Sequence, residues 1–85
     1  MPLLPEHFPG ITGFEWDAGN SEKNWLRHQV AQFEAEQLFL NRPIVVRRAP
    51  EHSGPEVRYF ALGRADSGRQ LMVAFTLRGS RLRVI

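Results

Sequence analysis

Residues 68–85, GRQLMVAFTLRGSRLRVI, decide the fold. On both sides of Gly79-Ser80, large apolar side chains occupy every second position. An apolar residue stands at every second position of 71–77, and the alternation resumes at residue 82. A period of two predicts two strands, and glycine at the first position of a two-residue loop favours a type II′ turn. The hairpin register that follows pairs Phe75 with Val84, Thr76 with Arg83, Leu77 with Leu82 and Arg78 with Arg81.

One face of this predicted hairpin carries a threonine and three arginines: Thr76, Arg78, Arg81 and Arg83. Like charges opposite each other across two strands are unfavourable by up to about 1 kcal/mol. A phosphate or carboxylate partner would relieve that repulsion. The alternative is a polar face that is simply solvated.

Two further strands are predicted upstream, over residues 44–48 and 57–64, with a turn at 65–68 before the hairpin. If Arg64 pairs with Arg69, Phe60 and Leu62 share the core face of the hairpin. The opposite face then carries Tyr59, Ala61 and Met72 beside the arginines. That face is half apolar, so we expect another element or a partner to cover part of it.

The N-terminal half predicts two short helices. Asp17 or Ser21 can cap the first, which would run to about residue 28, and the second spans about residues 32–40. Residues 1–13 are rich in proline and predict an extended arm. The sequence thus predicts an α+β fold, in which residues 14–85 form one domain with two short helices packed on a four-stranded, mainly antiparallel sheet.

Composition limits the possible functions. Eighty-five residues without cysteine allow one small core and neither disulfides nor a zinc–thiolate site. No apolar run approaches the roughly 18 residues of a membrane span, and residues 1–10 lack the pattern of a signal peptide. We therefore expect a cytoplasmic protein that has no contact with membranes. No metal-ligand spacing or phosphate-binding glycine loop predicts a metal or another cofactor.

Charge divides the chain into two halves. Residues 1–41 carry two basic and six acidic side chains, a net −4, whereas residues 42–85 carry nine arginines and three acidic side chains, a net +6. Ten of the eleven basic residues are arginine, whose rigid fork of donors suits phosphate and carboxylate groups. The basic half thus favours RNA or a carboxylate-rich partner.

Short motifs follow one another in a distinctive order along residues 14–85. They are Phe14-Glu15-Trp16-Asp17, Asn24 with Arg27-His28 and Val30, Leu38-Phe39 with Asn41-Arg42-Pro43, Glu56 with Arg58-Tyr59 and residues 61–64, and the terminal hairpin. In order and spacing they resemble the BrnT family of bacterial type II toxins, which is similar in fold to the RelE and ParE group.

This resemblance implies an endoribonuclease that inhibits translation. It also implies a BrnA-like ribbon-helix-helix antitoxin that neutralises the toxin and through which the pair binds operator DNA. Family members continue into an Arg-rich helix after the last strand, which the given sequence does not include. The alternative is therefore a catalytically inert relative that binds antitoxin or nucleic acid.

RNA cleavage without metal requires a base for the 2′-hydroxyl proton, cations for the charged phosphorane and an acid for the leaving oxygen. The predicted catalytic residues are Arg78, Arg81, His28 and Glu56. The predicted RNA- and phosphate-binding residues are Arg64, Arg83, Thr76 and Tyr59. Two alternatives stay open, because His28 could simply end a helix and Glu56 could pair with Arg58.

Overall fold

A mixed sheet of five strands with a helix across one face forms the framework of the molecule. The structure is a computed structural model that describes residues 2–19, 21–22, 29–49 and 56–85. The strands lie in the order β1-β5-β4-β3-β2; β1 runs parallel to β5, and all other neighbours are antiparallel. The elements are β1 (Gly13–Phe14), α1 (Gln32–Leu40), β2 (Val45–Arg48), β3 (Arg58–Arg64), β4 (Gln70–Arg78) and β5 (Arg81–Val84).

The predicted architecture was wrong in its helix and strand counts, although the α+β class holds. In the described residues the structure has one complete helix and a fifth strand, β1, which makes the sheet mixed. Residues 18–19 and 21–22 are helical, and the Ser21 N–H donates to the Asp17 carbonyl (3.1 Å). The predicted continuation of that first helix falls on residues 23–28, outside the described part of the chain. A strand of two residues is too short to produce an alternating pattern, so periodicity could not predict β1 as part of the sheet.

The hairpin of β4 and β5 confirms the predicted register. Phe75 pairs with Val84, and Arg78 pairs with Arg81. Gly79 has a φ of +60°, which the first position of a type II′ turn requires. The hairpin therefore brings its arginines to one face, as the alternation predicted.

The register between β3 and β4 differs from the prediction by one residue. Arg64 pairs with Gln70 instead of Arg69. The Gly68 N–H donates to the Ala65 carbonyl (2.9 Å), and the Ala65 N–H donates to the Arg69 carbonyl (3.0 Å). With Gly68 at a φ of +91°, this is a three-residue loop with a glycine bulge, one residue shorter than the predicted turn.

That slip moves every side chain of β3 to the other face. Ala61 is buried, and Tyr59 lies on the helix side of the sheet, whereas Phe60 and Leu62 are exposed on the opposite face. The prediction that Phe60 and Leu62 belong to the core is therefore wrong. The same slip overturns the placement of Tyr59 beside the arginines.

The core lies between α1 and the sheet. Phe39 on the helix and Phe75 on β4 are fully buried, and their rings meet edge to face at 5.2 Å. Leu38 packs directly over Gly63 of β3: a Cβ at Gly63 would lie 3.2 Å from Leu38 Cγ. The helix can approach the sheet this closely because residue 63 has no side chain.

The N-terminal residues contribute to the same core. Leu4 and Ile11 are buried, and the indole Nε1 of Trp16 donates to Glu36 of α1 (2.8 Å). The boundary between an arm (1–13) and a domain (14–85) stays a prediction. Within the described residues, no helix is long and apolar enough to cross a membrane.

Candidate functional site

The sheet face opposite α1, here called the open face, is divided into two regions. Its cationic end comprises Arg58, Thr76, Arg78, Arg81 and Arg83, and its apolar end comprises Val45, Phe60, Leu62 and Met72. Thr76 lies at the centre of the cationic end, with Arg58 opposite on β3 and Arg83 opposite on β5. Adjacent strands are about 4.8 Å apart, so the Cα atoms of these two arginines lie about 10 Å from each other.

Arg78 forms a bidentate ion pair with Glu56. Its Nε donates to Glu56 Oε2 (2.9 Å), and its Nη2 donates to Glu56 Oε1 (3.0 Å). Glu56 lies two residues before the start of β3, so the pair joins the segment that leads into β3 to the end of β4. The predicted alternative, an ion pair of Glu56 with Arg58, is not the arrangement found.

Glu15 connects Arg78 to Arg83. Its Oε2 accepts from Arg78 Nη1 (3.2 Å) and from Arg83 Nη1 (3.3 Å). Arg83 also donates from Nη2 to Asp17 Oδ2 (2.8 Å). Three carboxylates thus hold two guanidinium groups in a continuous network across the end of the sheet.

The network shifts the ionisation of its members in opposite directions. The hydrogen bond from Arg78 is the main cause that lowers the pKa of Glu56, and the charges of Arg78, Arg83 and Arg58 add to it. The hydrogen bond to Glu56 is in turn the main cause that raises the pKa of Arg78. At neutral pH the Glu56 carboxylate is therefore ionised and serves as an acceptor.

Thr76 is buried, and its hydroxyl is already engaged. Oγ1 donates to the Val57 carbonyl at 2.8 Å, which fixes the start of β3 against β4. The hydroxyl oxygen retains its acceptor capacity, but its proton is directed away from a ligand. Thr76 therefore fixes the relative positions of the arginine-bearing strands.

Arg58 and Arg81 complete the cationic end, and neither has a carboxylate partner among the described residues. Both are exposed, and neither forms an ion pair with another of the described residues. An anion could therefore bind their guanidinium groups without displacing an ion-pair partner from the described part of the chain. Among the described residues, two arginines of the site are paired with carboxylates (Arg78 and Arg83) and two are not (Arg58 and Arg81).

The remaining predicted residues lie elsewhere or outside the described chain. Arg64 is on the open face, but six residues along β3 from Arg58, which corresponds to about 20 Å. The Tyr59 ring stacks on Phe75 (5.4 Å) and meets the edge of Phe8 (5.0 Å) on the core side of the sheet. His28 lies outside the described residues.

Sequence reasoning missed Glu15 and Asp17 as members of the site. Both reach it because β1 lies next to β5, with Phe14 opposite Leu82. The available sign was the division of charge along the chain, since an acidic N-terminal half and a basic C-terminal half attract each other when the chain folds. That division predicted an attraction but could not say which carboxylate meets which arginine.

Comparison with protein-family models matches residues 16–85 to a family described as "Ribonuclease toxin, BrnT, of type II toxin-antitoxin system". The chain belongs to the BrnT toxin family. The match confirms the family resemblance drawn from the motifs and covers the strands that form the cationic end. A search of curated proteins found no match.

Membership of the BrnT family places the chain among the ribonuclease toxins of type II toxin-antitoxin systems. A family of this type implies an antitoxin partner. In the described residues of this BrnT-family chain, no group of three or more histidine, cysteine, aspartate or glutamate side chains is placed to hold a metal ion. The charged groups that converge in the described site are the arginines of the cationic end and the carboxylates of Glu15, Asp17 and Glu56.

Proposed function

We propose that this chain is an endoribonuclease toxin that cleaves RNA without a metal ion and so inhibits translation in the cytoplasm. The observation that carries this proposal is the convergence of Arg78, Arg81 and Arg83 at one end of the open face, within reach of Glu56. Guanidinium groups supply the positive charge that a pentacoordinate phosphorane needs. In metal-dependent nucleases a cation performs that task.

In the proposed reaction the RNA 2′-oxygen attacks the adjacent phosphorus atom, and the 5′-oxygen of the next nucleotide leaves. The 2′-hydroxyl proton passes to a base, and an acid returns a proton to the leaving oxygen, so the products are a 2′,3′-cyclic phosphate and a 5′-hydroxyl end. No atom outside the RNA enters the products of this step.

An RNA phosphate would bind Arg78 and Arg83 by displacing the carboxylates that these arginines contact in the free protein. Arg78 and Arg83 now donate to carboxylates of the same chain, and a phosphate offers the same pattern of acceptor oxygens. Arg81 has no such carboxylate in the described residues and can bind the phosphate first. Arg64 would contact another phosphate several nucleotides away along the strand.

Glu56 is the proposed base. While Arg78 holds it, its pKa is lowered and it is a weak proton acceptor. When a phosphate takes over the Arg78 fork, the main cause of that lowering is removed, so the affinity of Glu56 for a proton rises at the moment substrate is bound. We propose His28 as the acid on sequence grounds alone, because its ordinary pKa is near neutrality.

The direct test is the cleavage of an end-labelled RNA by the purified protein in the presence of EDTA. We expect cleavage with EDTA and cyclic-phosphate ends, and a loss of at least about 100-fold in the Arg78→Gln/Arg83→Gln double variant. The control is Arg48→Gln, an exposed arginine on β2 that lies on the helix side of the sheet, opposite Tyr59. Cleavage that requires added Mg²⁺, or that survives the double substitution, would refute the proposed mechanism.

We further propose that the antitoxin is BrnA-like, with a ribbon-helix-helix DNA-binding domain, and that the toxin meets operator DNA only through it. Co-expression of such an antitoxin should restore the growth of cells that express the toxin. An operator DNA fragment should be retarded by the complex and not by the toxin alone.

The carboxylate network favours a second candidate, an inert module that binds antitoxin or nucleic acid without cleaving RNA. Glu15, Asp17 and Glu56 already occupy the guanidinium groups of Arg78 and Arg83. If the phosphate cannot displace them, the arginines are structural. Intact RNA and normal growth at high expression, together with tight antitoxin binding, would establish this candidate.

A further inference from the structure

The apolar end of the open face is a contiguous exposed patch. Val45, Leu62 and Met72 are cross-strand neighbours on β2, β3 and β4, and Phe60 adjoins Leu62 on the same face. Their exposed fractions are 44% for Val45, 39% for Phe60, 51% for Leu62 and 69% for Met72. Four large apolar side chains exposed together on a sheet mark a surface for association.

Arginines border this patch, and none of them has a carboxylate partner in the part of the chain that the structure describes. Arg47 lies opposite Phe60 on β2, and Arg58 and Arg64 flank the patch at the two ends of β3. Within the described residues none of the three forms an ion pair, and Arg47 donates only to its own neighbour's carbonyl, that of Val46 (3.0 Å). The border is therefore positive and open to carboxylates from outside.

This combination of properties selects the kind of partner. A second copy of the chain that paired through the same face would bring arginine borders against each other, which is unfavourable. RNA would find one aromatic ring, Phe60, among three aliphatic side chains, which is a poor platform for stacked bases. A protein segment with apolar residues on one side and carboxylates beside them satisfies both the patch and its border.

We propose that the apolar end docks an acidic, amphipathic segment of the antitoxin. Its apolar side chains cover Val45, Phe60, Leu62 and Met72, and its carboxylates pair with Arg47 and Arg64. The inference rests on the toxin-antitoxin assignment of the proposed function and adds the surface and the chemistry of the segment that binds there. Arg58 belongs both to this border and to the cationic end, so a segment docked here also lies beside the catalytic arginines.

The test measures the affinity of the purified, full-length antitoxin for the toxin by titration calorimetry. We expect Leu62→Asp and Met72→Asp each to weaken binding about 100-fold, and Arg64→Glu about 10-fold, because central contacts of an interface dominate its affinity. Leu62→Thr retains a residue suited to strands and should weaken binding about 10-fold. Phe33→Asp on α1 is the matched control, since Phe33 is also an exposed large apolar residue (63%) but lies on the helix. Circular dichroism confirms that each variant is folded.

The outcomes separate this inference from the proposed ribonuclease activity. Loss of antitoxin binding in Leu62→Asp and Leu62→Thr, with RNA cleavage intact, supports the docking surface. The same loss in a protein that never cleaves RNA also supports it, although the proposed activity then fails. Antitoxin binding that is unchanged in the folded patch variants, or that is absent in the unsubstituted protein, overturns it. So does a patch substitution that instead abolishes RNA binding or dissociates a dimer of the toxin.

Discussion

Arg78 and Glu56 face each other with two parallel hydrogen bonds, Nε to Oε2 at 2.9 Å and Nη2 to Oε1 at 3.0 Å. This geometry is specific to arginine, because only a guanidinium presents two donors in a fixed plane. The same fork would fit a phosphate. The pair therefore links the segment before β3 to the end of β4. Its geometry is also the one that Arg78 would use to bind an RNA phosphate.

The Glu56→Gln variant should differ from the unsubstituted protein in its acid stability. The pKa of Glu56 is lower in the folded chain than that of an ordinary glutamate, so the ionised pair contributes its full stability at pH values above the ordinary glutamate pKa. The contribution is lost as pH falls through the folded pKa. The difference in Tm between the two proteins should thus be present at pH 7 and shrink towards zero near pH 3.

Thermal unfolding followed by circular dichroism at pH 7, 5, 4 and 3 provides the measurement. Glu22→Gln, at an exposed residue of the first helical turn, is the control and should show little difference from the unsubstituted protein at any pH. A difference for Glu56→Gln that stays constant from pH 7 to pH 3 would argue against the ion pair.

The Arg78→Lys variant tests whether the two-donor geometry of the Arg78 guanidinium matters in addition to its positive charge. Lysine retains the positive charge but cannot donate two coplanar hydrogen bonds, so we expect RNA cleavage to slow by about 100-fold. Single-turnover cleavage of a labelled RNA measures the rate, with Arg48→Lys as the control. A lysine variant with full activity would show that charge alone suffices at this position.

The salt dependence of RNA binding counts the phosphates that the protein contacts. For single-stranded RNA, log K falls with log salt by about 0.7 for each neutralised phosphate. If Arg83 binds a phosphate, Arg83→Gln should reduce the slope by about 0.7, whereas Arg48→Gln should leave it unchanged. Fluorescence anisotropy from 50 to 300 mM salt, with a cleavage-resistant RNA, gives the slopes. Equal slopes for the Arg83 variant and the unsubstituted protein would exclude that contact.

Gly63→Ala should destabilise the fold without touching the site. A Cβ at residue 63 would lie 3.2 Å from Leu38 Cγ and 3.4 Å from the Leu38 carbonyl oxygen, so the Leu38 side chain or α1 itself would have to give way by a few tenths of an ångström. We expect a loss of about 1–3 kcal/mol in the free energy of unfolding, measured by urea denaturation. Gly10→Ala, where nothing lies within 4 Å of the added Cβ, should change it by less than about 0.5 kcal/mol. Similar values for both variants would show that the helix can move away freely.

The sequence predicted the strand register where the loop length is unambiguous. It did not predict the register where that register depends on how many residues form the loop. The β4–β5 hairpin was correct because a two-residue loop with glycine leaves one sensible register. The β3–β4 hairpin was off by one because a glycine bulge at Gly68 changes the register without altering the apolar pattern around it. This error of one residue had a large effect on the prediction, because it assigned Tyr59, Phe60 and Leu62 to the wrong faces of the sheet.

The arginines of the site were predicted from alternation alone, but their carboxylate partners were not. Glu15 and Asp17 approach Arg83 across sequence separations of 68 and 66 residues. No periodic pattern reports contacts of that length, and β1, which creates them, has only two residues. The short strand β1 and its long-range ion pairs are therefore features that only the folded structure shows.

The pairing of β1 with β5 has a consequence for the timing of biosynthesis. A ribosome releases the N-terminal residues first, so Glu15 leaves the exit tunnel well before Arg83 has been translated. The two can meet only after the last strand emerges, and closing so long a loop is slow compared with forming the local hairpins. A nascent chain therefore lacks the assembled arginine network until β5 has left the ribosome, however early β1 has emerged.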